Sequence, residues 1–154
     1  MKLEKWALIA EIIGAIAVVI SLLYVGAGVR QNTEAILSSN HQNLVAMDMN
    51  KNGWFRDPQF AELYEAGLQN FDALSAAERL QFTTFVADQL NVWEYAFISH
   101  EKGLMDDNIW AGYDRFYSSQ LVLPSYRAFW QLSKDGWTRE FSRHADAVLA
   151  EALP

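Results

Sequence analysis

The longest apolar stretch of the chain runs from Trp6 to Val29 and contains one charged residue, Glu11. Eighteen uncharged residues follow Glu11 before Arg30 interrupts the pattern. A helix of these 24 residues would be about 36 Å long, whereas the hydrocarbon core of a bilayer is about 30 Å thick. The apolar core of a secretory signal is shorter, at about 7–15 residues. The pattern therefore predicts a single transmembrane helix.

Small residues recur along one side of this predicted helix. Six positions lie within about 40° of a common direction at 100° per residue: Ala10, Gly14, Ala17, Ser21, Tyr24 and Gly28. Small residues allow helix backbones to approach closely in lipid. This stripe predicts a helix-packing face for a second copy or a larger membrane complex, although alanine and glycine are also simply common in membrane helices.

Glu11 lies little more than one turn after Trp6, which is typical of an interfacial anchor. A carboxylate inside a membrane span is costly and therefore a candidate for function. Two interpretations follow. Glu11 either reaches the headgroup region, or it faces a partner's cation or the lumen of a homo-oligomer.

The apolar spacing after Arg30 is helical but much more polar, and Asn52-Gly53 is a stop signal. The helix is expected either to continue outward as a stalk or to restart after a break at Gly26 and Gly28. The predicted organisation has three parts. They are a transmembrane helix with a short basic N-terminus (1–30), a polar helical stalk (31–52) and an acidic, aromatic-rich helical domain (53–154).

Five helices are predicted after residue 52, and no alternating pattern long enough for a strand is present. Their N-terminal signals are Asp57-Pro58, the capping box Ser75 to Glu78, Asp106 or Asp107, Pro124, and Thr138. Aromatic stripes at helical spacing are expected to form the core, with Phe116, Leu132 and Leu153 among the inward positions. The sequence thus predicts an all-α protein with a compact bundle of about five helices.

Charge and composition exclude several kinds of chemistry. The net charge is −7, and residues 57–154 hold seven Lys/Arg against fifteen Asp/Glu, so nucleic acid is not an expected partner. Cysteine is absent, and the three histidines lie in separate predicted elements without zinc-type spacing. No phosphate-binding glycine loop or nucleophile motif occurs. We therefore expect no catalytic, cofactor or metal site, and no enzyme.

Glu94 is the least ordinary polar position of the predicted bundle, because it stands between Trp93 and Tyr95 on the longest helix. Its carboxylate could bind a cation. Alternatively, it could accept a hydrogen bond from an indole or a phenol, or pair with Arg79, Arg115 or Arg127.

Several segments carry a family resemblance. They are IAEIIGAIAVVISLLYV at 9–25, VRQNT at 29–33, AELYEAGL at 61–68, LSAAERLQF at 74–82, VWEYAF at 92–97 and GLMD at 103–106, followed by Phe129-Trp130 and Phe141-Ser142. The chain resembles an uncharacterised family of small bacterial proteins with one N-terminal transmembrane helix and a C-terminal helical domain. The resemblance implies a single-pass protein of the bacterial inner membrane, and it implies no activity.

The sequence indicates only weakly on which side of the membrane the helical domain lies. Lys2 and Lys5 precede the span and only Arg30 follows it closely, which favours a cytoplasmic N-terminus. Similar proteins carry additional arginines where this chain has Glu34 and Leu37, and that likeness favours a cytoplasmic helical domain instead.

Three functional hypotheses follow. The first is a non-enzymatic, membrane-anchored interaction protein that associates through its transmembrane helix with itself or with a larger complex. The second is a small homo-oligomeric pore with Glu11 in the lumen. The third is a membrane-tethered ligand sensor that uses a pocket in the aromatic domain near Glu94.

Overall fold

The computed structural model describes residues 2–152, with the side chains of Lys2 and Glu4 excepted. Within that range the chain is helical and contains no strand, which confirms the predicted all-α class. The helices are α1 (Lys2–Asn52), α2 (Pro58–Gln69), α3 (Ala76–Glu101), α4 (Asp107–Leu121), α5 (Pro124–Ser133) and α6 (Arg139–Ala152). Short 3₁₀ turns at Gly53–Arg56, Phe71–Ala73 and Lys134–Gly136 join some of them.

Helix α1 runs without a break through Gly26 and Gly28. Of the two predicted alternatives, the structure therefore shows a helix that continues past Arg30 and does not restart. The chain divides into two compact units, one up to Ser38 and one from Ser39 onward. The second unit is called the helical domain below. It begins fourteen residues before the predicted boundary at 53, because the last part of α1 belongs to it.

Both apolar and polar side chains hold the last part of α1 in the helical domain, and the partly buried Met47 packs against the core. Leu44 is completely buried. Asn40 donates to the carbonyl of Leu104 at 3.1 Å and accepts from the Tyr95 hydroxyl at 3.1 Å. Residues 39–52 are therefore an element of the domain rather than a stalk, whereas 31–38 lie in the first unit.

The predicted helix starts are largely those of the structure. Asp57 caps α2 with Pro58 at its first position. Ser75 and Glu78 form both hydrogen bonds of a capping box, with Ser75 N donating to Glu78 Oε2 at 2.7 Å. Asp106, rather than Asp107, caps α4. These local signals explain why the bundle has the predicted number of helices after residue 52.

The core is aromatic, as the stripes predicted. Its largest fully buried side chains are Trp93, Trp130, Tyr117, Tyr126, Phe82, Phe85 and Phe141. Two expected core positions are wrong, since Leu132 is 86% exposed and Phe116 is 49% exposed. Tyr126 and Trp130, four residues apart, define the buried face of α5, and Leu132 lies on the opposite side. Leu153 falls outside the described residues.

Candidate functional sites

The apolar part of α1 has the length and composition of a membrane-spanning helix. Its most apolar window of 18 residues has a mean hydropathy of 2.5, and none of that window is buried inside the chain. The six predicted packing positions are all exposed. A Cβ atom placed on Gly14 or Gly28 would meet nothing within 4 Å. The described chain therefore leaves the stripe uncovered.

Glu11 is also exposed on α1, so its predicted role in a pore or at a partner stays a prediction. Farther along the same unit, Arg30 pairs with Glu34 at 3.0 Å, one helical turn away and in the open. An exposed pair at this spacing stabilises a helix by only about 0.3–0.5 kcal/mol.

The Glu94 carboxylate of α3 is hydrogen-bonded to Thr138. Its Oε1 atom accepts hydrogen bonds from the backbone amide and from the hydroxyl of Thr138, both at 2.8 Å. Thr138 immediately precedes α6, so the carboxylate ties the start of α6 to α3. The partner is thus neither an indole, a phenol nor one of the arginines suggested by the sequence.

A buried charged cluster, which the sequence did not single out, joins α1 to α4. Lys51 is only 6% exposed, and its Nζ atom donates to Asp48 Oδ1 and to the Tyr117 hydroxyl, both at 3.0 Å. The Tyr117 hydroxyl donates to the same Asp48 oxygen at 2.9 Å. The Lys51 ammonium also lies 5.1 Å from the centre of the Tyr117 ring and 5.6 Å from that of Phe116, within range of cation–π attraction.

A cavity of about 310 Å³ opens beside this cluster. It is lined by Asp48, Asn108, Ile109, Gly112, Tyr113 and Phe116. Burial, followed by the charge of Asp48 and a hydrogen bond to it, raises the pKa of Tyr113 to about 12. The same causes, with burial again the largest, raise the pKa of Tyr117 well above its usual value. Both phenols therefore keep their protons to a higher pH than an ordinary tyrosine does.

These raised pKa values predict a loss of stability in alkali. Free tyrosine ionises near pH 10, so above this pH the folded state holds protons that the unfolded chain has released. The free energy of unfolding must then fall as pH rises from about 10 toward 12. We expect Tyr117→Phe to decline less steeply than wild type in denaturant unfolding at a series of pH values. Equal slopes would contradict this account.

A second polar cluster lies between α4 and α6. His144 Nε2 lies 2.7 Å from Asp114 Oδ1, and the Trp93 indole donates to the same oxygen at 3.0 Å. The His144 ring packs against those of Phe97 and Trp110, with centroids 5.2 and 5.6 Å apart. Asp114 and His144 also line an open groove of about 510 Å³. The pair fixes the imidazole against the aromatic core and leaves one edge of the cluster accessible.

The sequence missed both clusters because each assembles residues from helices that are distant along the chain. Asp48 and Lys51 are neighbours on α1, but their spacing is also that of any exposed ion pair. Within residues 2–152, no group of three or more His, Asp or Glu side chains is placed to hold a metal ion.

Comparison of the chain with protein-family models, with curated proteins and with solved structures finds no match.

Proposed function

We propose that the chain is a non-enzymatic, membrane-anchored accessory protein that associates through its transmembrane helix with itself or with a larger membrane complex. One observation carries the proposal. The apolar span is wholly exposed, and its stripe of small residues has no covering partner in the described chain. In lipid, such a stripe is stabilised by close contact with another helix.

The location that fits this proposal is the bacterial inner membrane, crossed once, with the helical domain in the cytoplasm. The acidic charge of residues 57–154 is consistent with a domain that does not lie against an anionic lipid surface. The domain would then be free to contact proteins of the same complex.

The test of the packing face compares two substitutions on the same helix. Gly14→Leu places a large side chain on the stripe, and Ile20→Leu changes the exposed side away from it. We expect Gly14→Leu to reduce the association signal in a bacterial membrane two-hybrid assay by at least about half, whereas Ile20→Leu leaves it unchanged. Cross-linking in mild detergent should likewise show less association for Gly14→Leu than for Ile20→Leu.

Two results would overturn the proposal. One is equal behaviour of Gly14→Leu and Ile20→Leu. The other is a strictly monomeric protein that retains no membrane partner when purified from native membranes.

A further inference from the structure

The last part of α1 exposes two apolar side chains, although it belongs to the helical domain. Val45 is 39% exposed and Met49, one turn later, is 67% exposed. At 100° per residue they point between about 100° and 160° away from Leu44 and Lys51, which are both buried in the domain. This part of α1 therefore has an outward face, opposite the domain core, that the described chain leaves uncovered.

The outward face continues the spacing of the predicted packing positions. Those positions alternate in steps of four and three residues from Ala10 to Gly28. Continued from Gly28, the same steps lead to Gln31, Ala35, Ser38, Gln42, Val45 and Met49. The whole range is helical. An average step of 3.5 residues is the heptad spacing of helices that wind around each other with a left hand. The twelve positions are called the seam below.

The hand of a helix crossing decides how far two helices stay in contact. Small residues at steps of four favour a right-handed crossing of about −40°, from which two helices diverge. The seam has the other spacing, which favours a left-handed crossing of about 20° and continuous contact. A partner that packs on Gly14 and Gly28 therefore also reaches Val45 and Met49, provided that it is a helix that continues beyond the membrane. Helix α1 of a second copy is such a helix.

We propose that the partner of the packing face is a second copy of this chain, in a parallel pair whose α1 helices meet along the seam as far as Met49. The pairing rests on the proposed function and specifies its partner. Two copies inserted with the same orientation are parallel, so each seam residue meets its own counterpart. No seam residue is charged, so two chains of net charge −7 meet there without like-charge repulsion. The Gln31 amide carries both donors and acceptors and can pair with itself.

Cysteine substitution tests the seam, because the chain contains no cysteine. Full-length single-cysteine variants are treated in isolated membranes with a short bismaleimide, and dimers are counted by gel electrophoresis. We expect Val45→Cys and Met49→Cys to give at least about fivefold more dimer than Asn43→Cys. Asn43 is the matched control, since it is also exposed but points about 120° or more away from both. Equal yields from the three variants would overturn the seam.

Gly14→Leu links the two ends of the seam and separates its failure from that of the proposed function. Added to Met49→Cys, it should lower the dimer yield at least about twofold, because one helix pair makes both contacts. An unchanged yield would overturn the seam. If Gly14→Leu weakens the two-hybrid signal but Met49→Cys cross-links no better than Asn43→Cys, the packing face has another partner or crossing, and only the seam is lost. If Gly14→Leu leaves the two-hybrid signal intact, the proposed function fails as well.

Discussion

Replacing Asp48 with alanine is expected to lower the free energy of unfolding of the helical domain by about 3 kcal/mol. The substitution leaves the Lys51 ammonium buried with the Tyr117 hydroxyl as its one remaining hydrogen-bond partner among those found in the structure. It also removes the acceptor of the Tyr117 hydroxyl. The Asp48 side chain is 29% exposed. The loss of unfolding free energy should therefore lie at the lower end of the range of about 3–5 kcal/mol for broken buried pairs.

The measurement is denaturant unfolding of the full chain in detergent, followed by tryptophan fluorescence. Glu140→Ala is the matched control, because Glu140 and Arg143 form a pair at the same three-residue spacing. That pair is exposed on both sides, so its loss should change stability by less than about 1 kcal/mol. A loss for Asp48→Ala no larger than that of Glu140→Ala would show that the buried cluster is not stabilising.

The double variant Asp48→Ala, Lys51→Met separates the cost of an orphaned charge from the value of the pair. Removing both charges leaves no unpaired ion, and apolar replacements of buried pairs are often neutral. We therefore expect the double variant to recover most of the stability that Asp48→Ala loses. A further loss would mean that the methylene stem of Lys51 and its aromatic contacts contribute more than its charge costs.

The buried charged cluster of Asp48, Lys51 and Tyr117 also shows why the predicted start of the helical domain, at residue 53, lies too far along the chain. The sequence predicts a stalk over residues 31–52 because their apolar positions keep a helical spacing but the segment is much more polar than the membrane span. In the structure Leu44 is fully buried in this part of α1 and Met47 packs partly buried against the core, while polar side chains supply further contacts. Hydrophobic periodicity detects helices that bury an apolar stripe. It cannot detect a segment fixed by Asn40, Asp48 and Lys51.

The residue at which a helix begins is easier to predict from the sequence than the side chains with which that helix forms hydrogen bonds. A cap such as Ser75 with Glu78 is complete within four residues, so the sequence contains the whole interaction. The bond between Glu94 and Thr138 spans 44 residues, and that between Trp93 and Asp114 spans 21. Local patterns cannot pair such residues, because the choice of partner depends on how the helices pack.

Gly67 in α2 lies directly against the Phe82 ring of α3. A Cβ atom on Gly67 would lie 2.4 Å from Cδ2 and 2.6 Å from Cε2 of the Phe82 ring. That ring is fully buried and held by the rings of Tyr64, Phe71 and Tyr126, so it has little room to retreat. Glycine costs about 1 kcal/mol within a helix relative to alanine, and the close contact explains why it is present here.

Gly67→Ala is accordingly expected to destabilise the helical domain by about 2 kcal/mol, since overpacking outweighs the gain in helix propensity. Gly112→Ala in α4 provides the opposite control: a Cβ there meets nothing within 4 Å, so the domain should gain about 0.5–1 kcal/mol. Pairing Gly67→Ala with Phe82→Leu tests the contact directly. If the ring is the obstacle, Gly67→Ala costs less in the Phe82→Leu background than in wild type, and the two changes are not additive. An equal cost in both backgrounds would place the obstacle elsewhere, in the backbone of α2 itself.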